Sequence, residues 1–486
     1  MKRHPRRLFW ITLFLMLPLL SLACALSRGL AQTGLIDPPT PAPTVMLGPT
    51  FTPSAGVMNL PMTPPPTIIP LTDTQVLTPP LNIQPTAAPV PDPPIAGLID
   101  VVFMETVQTN VLDESQRRFY PGNNFIPARY PVDRYQLHFR SHNELGRSVP
   151  IRAELYVPRV ETQTQFPLFV YGAGTTGIGN TCAPLDEKLR NRNWGLYETH
   201  MLSYAAQGYI GLLPHWQGYD DQTRTHPYFI ASLEGTILLD ATRAAYEFFA
   251  NPANLDILAE PAQAVFYGGY SEGGHGAFAA QDMAASYAPE LPIKGVVGHA
   301  TAPSVEALLR ERSPLAPYII YAYLNYYGGE IINPESVFQP QWLPTFYQDA
   351  STKCVDEVYE YYPNDPIRMY RPEFLEALLG DRLGEVLPGF KAALDENYVG
   401  NSEDINVPVI LLHGEADDIV TPQTNEAFIA KLCNRGKNMT YKIYPGVNHF
   451  ETRQNSFVDT LSWMQRVAEG NIPESGCSEF FNSQFE

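Results

Sequence analysis

A serine stands between glycines in the run Gly269-Tyr270-Ser271-Glu272-Gly273, and an acid and a base follow it toward the C-terminus. A serine hydroxyl is a poor nucleophile unless a neighbouring base takes its proton, and that base must itself be held by an acid. "HGEADDIVTP" supplies Asp417 and Asp418, and "YPGVNHFET" supplies His449. The chain order Ser, Asp, His is the one used when a nucleophile sits on a strained strand-to-helix turn. Ser271 therefore reads as a nucleophile, His449 as its base and Asp417 as the acid, with Asp418 as the alternative. His275, His299 and His413 lie near expected strand ends, but none of them follows the acid, and they read as structural.

A second glycine-rich run lies upstream, Gly172-Ala173-Gly174-Thr175-Thr176-Gly177 after the strand-like "FPLFVY". G-x-G-x-x-G can cradle a pyrophosphate, but that use needs a second strand closing on an acidic residue about twenty positions later. The stretch that follows, "IGNTCAPLDEKLRNRNWGLYETH", has no such strand. An acyl-transfer reading absorbs both runs. The tetrahedral intermediate needs two backbone N–H donors. One comes from Glu272, the residue after the nucleophile, and the other from Gly174 or Thr175 in the glycine-rich loop.

These residues need a scaffold that delivers them to one edge. Strand-like runs recur as "FPLFVY", "GYIGLLP", "AVFYGGY", "IKGVVGHA", "VPVILLHG" and "MTYKIYP", with helical segments such as "SLEGTILLDATRAAYEFFA" between them. Alternation of this kind predicts an α/β fold, a mostly parallel central sheet with helices on both faces. "DRYQLHFRS" and "VPIRAELYVP" read as a hairpin turning at Asn143 and Gly146. Residues 301–405 are too long for a structureless loop and are rich in helical patterns, which predicts an inserted helical cap. Its tyrosines, Tyr318, Tyr321, Tyr323, Tyr326 and Tyr327, could line an apolar groove or form the cap's own core.

The N-terminus reads differently. Lys2, Arg3, Arg6 and Arg7 precede an uncharged apolar run from Leu8 to Ala23, the order of a secretory signal peptide over residues 1–23. A retained transmembrane anchor is the alternative. "LSLAC" resembles a bacterial lipobox, which would make Cys24 a lipidated first residue. Ser21 departs from that pattern, and cleavage after Ala25 competes with it. Residues 24–94 hold much of the chain's 47 prolines and read as a semi-rigid Pro/Thr-rich spacer ahead of the domain at 95–486. The expected localisation is exported, either anchored to the cell envelope or secreted.

A net charge of −19 excludes nucleic acid as a natural partner, because phosphate binding needs concentrated Lys and Arg. It also leaves the N-terminal anchor as the only expected route to a membrane. Without Cys24, four cysteines remain, Cys182, Cys354, Cys433 and Cys477, an even number that suits two disulfides in an exported protein.

The ordered motifs together resemble the secretory lipase family of α/β-hydrolases, which includes the yeast A-type lipase. The match runs through "GTTGIGNTCAPL", "LSYAAQGYIGLLPHWQGYDD", "THPYFIASLEGTILLDATRAA", "GYSEGGHGA", "HGEADDIVTP" and "YPGVNH". The resemblance implies hydrolysis of acyl esters of small molecules or lipids, without metal or organic cofactor. It places the triad on Ser271, Asp417 and His449, and it suggests the pairings Cys182–Cys354 and Cys433–Cys477. Two departures stand out. Ala173-Gly174 replaces a common His-Gly, and Glu272 occupies a position where Gln or Gly is common. A serine peptidase on the same scaffold, or a surface binding domain without catalysis, are the competing readings.

Overall fold

The computed structural model describes residues 97–122, 125–404 and 406–483, all within the unit Thr86–Glu486. The expected signal peptide, Cys24 and the whole of the spacer lie outside the described residues. Among the described residues nine strands form one sheet: β1 (Leu98–Val107), β2 (Val132–His142), β3 (Ser148–Pro158), β4 (Thr164–Gly172), β5 (Ile210–Pro214), β6 (Ala259–Tyr270), β7 (Ile293–His299), β8 (Val409–Gly414) and β9 (Met439–Tyr444). Their order is β1-β2-β3-β5-β4-β6-β7-β8-β9. The first three strands and the β3/β5 pair are antiparallel, and everything from β5 through β4 to β9 is parallel.

Burial follows position in the sheet. The inner strands β5 and β8 are buried along their whole length, because helices cover both faces of a parallel sheet and leave no side to solvent. The β2–β3 hairpin turns where Asn143 Oδ1 accepts from the N–H groups of Leu145 and Arg147, and Gly146 has a φ of 69°. Strand β1 and the helix Thr109–Phe119 have no counterpart in the sequence reading. Ile99, Val102, Phe103 and Met104 of β1 are exposed, so this edge strand lacks the alternation that would announce it.

Buried apolar side chains gather in three clusters. One packs the helices Ala231–Ala250 and Glu272–Tyr287 onto one sheet face, and a second packs Tyr197–Ala205 and Thr452–Ala468 onto the other. The third belongs to the helices between β7 and β8, which run from Val305 to Glu396. Tyr318 and Tyr323 are fully buried there, while Tyr321, Tyr326 and Tyr327 pack against that core partly exposed. Two disulfides, Cys182–Cys354 and Cys433–Cys477, close the structure. These are the pairings the family resemblance implies.

The carboxyl ends of the parallel strands converge on one edge, the usual place for a site in such a sheet. β4 ends at Gly172, β6 at Tyr270, β8 at Gly414 and β9 at Tyr444, so each strand hands its chain to one of the loops named above.

Candidate active site

Ser271 follows the last residue of β6 and precedes the helix Glu272–Tyr287. Its backbone sits at φ 55°, ψ −112°, a conformation that non-glycine residues rarely adopt. Strain of this kind persists only where the surroundings enforce it. Here the enforcement is close packing of backbone on backbone. A Cβ on Gly269 would lie 1.9 Å from the carbonyl oxygen of Gly273, and one on Gly273 would lie 1.9 Å from that of Gly172. The two glycines of G-x-S-x-G therefore let the turn close on itself and let the helix start touch the end of β4.

Asp417 lies in the loop after β8, and its two oxygens divide their work. Oδ1 accepts from the N–H groups of Ile419 at 3.0 Å and Val420 at 2.9 Å, and Oδ2 accepts from His449 Nδ1 at 2.7 Å. Burial alone would raise this carboxyl, but the adjoining His449 and His413 and the backbone donors hold it below the usual carboxylate value. His449 follows β9 at the start of a short 3-10 turn, where Asn448 Oδ1 accepts from Glu451 N–H at 3.1 Å. The imidazole packs on the ring of Tyr270, with centroids 5.0 Å apart, one residue from Ser271. Asp418 points elsewhere. Its side chain is 71% exposed and pairs with Arg312 at 3.3 Å.

The three remaining histidines of the sequence reading all serve local structure. His299 bonds to Tyr171 and Thr460, and burial followed by the nearby Arg453 lowers its pKa to about 3, so it is neutral. His413 donates to the carbonyl of Val420 at 2.9 Å and stands 3.4 Å from the same Asp417 oxygen that His449 uses. His275 bridges Glu234 and the carbonyl of Asn397.

The glycine-rich loop after β4 curves toward the helix start. Its Gly174 N–H donates to the Tyr197 hydroxyl at 2.9 Å, so that amide is occupied. Thr175 anchors the next step by exchanging a hydrogen bond with the Tyr228 hydroxyl at 2.7 Å. Beyond it, Val355 N–H donates to the carbonyl of Thr176 at 2.9 Å, and the Cys182–Cys354 bond lies close by. The cap is thus fastened directly to the loop that faces the serine. Ser271 itself is only 7% exposed beneath this arrangement.

Sequence reasoning did not single out Tyr197, His226, Glu234 or Arg453. Arg453, one turn beyond His449, is buried with its guanidinium over the rings of Tyr270 and Tyr197 at 4.4 and 4.8 Å, donating to the carbonyl of Gly195 at 2.7 Å. A buried cation held by aromatic faces leaves no spacing signal in a single chain. His226 lies in the "HPY" stretch, which stood out only through the family resemblance, and Glu234 in "SLEG", which was otherwise read only as the start of a helix.

The pattern of the family described as "Secretory lipase" matches residues 195–476, more than half of the chain. The chain belongs to the secretory lipase family. It is thereby a carboxylic ester hydrolase on an α/β-hydrolase scaffold. Among curated relatives, Lipase A of Moesziomyces aphidis is 22% identical over 368 residues, covering 71% of this chain and 74% of the relative. Among solved structures, the rice cell wall degrading esterase of Xanthomonas oryzae superposes with a TM-score of 0.60 at 17% identity, covering 77% of this chain and 96% of that one. Candida antarctica lipase A in its closed state gives 0.58 at 19% identity, covering 78% and 84%. At these identities the structural likeness speaks for the fold alone.

Proposed function

We propose that this secretory lipase cleaves acyl esters through a covalent acyl-enzyme on Ser271. The observation that carries the reading is the 2.7 Å bond from His449 to Asp417, set beside a serine whose backbone is held in a strained turn. Ser271 Oγ attacks the acyl carbonyl carbon while His449 accepts its proton. Asp417 fixes the imidazole's orientation and stabilises its charge. The carbonyl electrons move to oxygen, and the resulting oxyanion accepts from two backbone N–H groups. Glu272 supplies one, being the first residue of a helix and so without a partner inside it. Thr175 supplies the other, since the amide of Gly174 is bonded to Tyr197. Collapse expels the alcohol, protonated by His449, and water then repeats the sequence to release the acid.

The domain reading extends this to the whole chain. With the signal segment 1–23 removed, a lipid on Cys24 and the spacer at 24–94 would hold the hydrolase domain off the cell envelope, whereas ordinary cleavage would secrete it. Two disulfides within the described residues support an oxidising compartment.

Turnover of p-nitrophenyl esters from acetate to palmitate tests the reading, with the Ser271→Ala variant alongside. The expected result is hydrolysis, together with labelling by a fluorophosphonate probe, both abolished in the variant. Hydrolysis that survives Ser271→Ala would sink the assignment.

A further inference from the structure

Glu272 puts a carboxyl group in the residue whose own N–H is assigned to the oxyanion, where a negative charge would oppose the developing one. The side chain is wholly buried on the helix Glu272–Tyr287, and its Oε1 is hydrogen-bonded to His226 Nε2. His226 is buried too, boxed by Trp216, Tyr219 and Tyr228 with ring centroids 6.0, 5.3 and 6.0 Å away. Its Nδ1 has no hydrogen-bond partner among the described residues.

A second acid–base pair adjoins the first. His275 Nδ1 lies 2.6 Å from Glu234 Oε2, and His275 Nε2 lies 2.8 Å from the carbonyl of Asn397. The carbonyl can only accept, so Nε2 carries a proton, and another lies between His275 and Glu234. That pair is neutral whichever partner holds the inner proton.

Two states are open to His226 and Glu272. With a single proton between them, a net negative charge is buried. With a second proton on Nδ1 the pair is neutral, and one N–H goes unpaired. An unpaired N–H costs about 1–3 kcal/mol, whereas an uncompensated buried charge costs several kcal/mol even after relaxation. The neutral state is the cheaper. Burial, partly offset by His226, raises the Glu272 pKa, in the same direction.

The other groups facing Glu272 are Thr175, Tyr197, Tyr219, Tyr228, Glu234 and His275, and burial pushes the three phenols upward, so they stay neutral. Ligand atoms of His226, Glu234 and Glu272 lie within 4.8 Å of one another. Both Glu234 oxygens are engaged, however, Oε2 with His275 at 2.6 Å and Oε1 with the Phe229 N–H at 2.9 Å, and His226 Nε2 is engaged by Glu272 Oε1.

We propose that the His226–Glu272 pair is uncharged in the working enzyme, one proton lying between Nε2 and Oε1 and a second on Nδ1. Loss of a proton from the pair to solvent then sets the alkaline limit of turnover by placing a negative charge behind the oxyanion donor. Glu272 is a positioning residue in this scheme, and its carboxyl acts through the electrostatics of the hole. The proposal rests on Ser271 being the nucleophile.

The test is the kcat–pH profile of the full chain on p-nitrophenyl butyrate from pH 6 to 10.5, with circular dichroism showing the fold intact at each point. Wild-type kcat is expected to fall about tenfold or more along an alkaline limb, the scale of a unit charge a few ångströms from the oxyanion. In Glu272→Gln that limb disappears or moves up by more than one pH unit. Coincident limbs in the two proteins overturn the proposal. Should the variant not fold, the ¹³C shift of the Glu272 carboxyl carbon in the wild type is expected to change with its midpoint on the limb, and a carboxyl of constant shift from pH 6 to 10.5 overturns it. Inhibition by a chelator that zinc reverses would also overturn it, by assigning the cluster to a metal. Absence of fluorophosphonate labelling at Ser271 overturns the reading beneath it, and the proposal with it.

Discussion

Asp417 Oδ2 and His449 Nδ1 stand 2.7 Å apart across the ends of two neighbouring parallel strands, while Asp418, one residue on, faces solvent and Arg312. Adjacent aspartates thus have opposite environments, and substitution should separate them sharply. Asp417→Asn is expected to lower kcat by about 10³–10⁴-fold, since an amide can leave the imidazole in the wrong tautomer. Asp418→Asn loses only an exposed ion pair, worth about 0–1 kcal/mol of stability. Ester turnover by the two variants decides it, and equal losses would remove the distinction between them.

The same hydrogen bond couples the site to stability. Asp417 has a folded-state pKa below its ordinary 3.8, because His449, His413 and the backbone donors outweigh burial. A depressed carboxyl contributes stability that is complete above its unfolded value and is lost as pH falls through the folded one. The stability gap between wild type and Asp417→Asn should therefore be constant at neutral pH and shrink below about pH 4. Urea unfolding midpoints from pH 6 to 2.5 measure it. A gap that widens on acidification would reverse the sign of the argument.

The turn around Ser271 gives a steric prediction. In Gly273→Ala the new Cβ would sit 1.9 Å from the Gly172 carbonyl oxygen, and backbone on both sides leaves no flexible side chain to yield. Overpacking of this kind costs roughly 1–3 kcal/mol or more. Because the shift falls between the end of β4 and the helix start, kcat should drop alongside the melting temperature. A variant with native stability and turnover would show that the glycine is dispensable.

The scaffold was legible where burial and periodicity agree. The runs "AVFYGGY" and "VPVILLHG" are apolar because both sheet faces are covered, and the loops after them carry Ser271 and Asp417. Strand β1 was not legible, because its exposed apolar residues follow no alternation and its pairing with β2 is a long-range choice. The helix Thr109–Phe119 went unread with it. Choosing between Gly174 and Thr175 as donor needed the position of Tyr197, which lies on a helix far along the chain. The partner of Glu272 was equally hidden. No spacing rule connects His226 to an elbow, and only the fold brings the two together.

The two disulfides should respond differently to removal. Cys182–Cys354 spans 172 residues and fastens the cap beside the glycine-rich loop, whereas Cys433–Cys477 spans 44 and ties the C-terminal segment to the helix Pro422–Asn434. Losing either is expected to cost about 2–5 kcal/mol, mainly by releasing the unfolded chain. Only the first also frees the peptide stretch in which Thr176 accepts from Val355. Cys182→Ser with Cys354→Ser should therefore lower kcat/KM as well as Tm, while Cys433→Ser with Cys477→Ser lowers Tm and leaves kcat/KM of the folded enzyme within about twofold, as expected for sites without shared partners. Assays at a temperature where both variants remain folded separate the two effects. Equal turnover in the two pairs would mean that Thr176–Val355 and the cap's own packing hold the loop without the covalent bond.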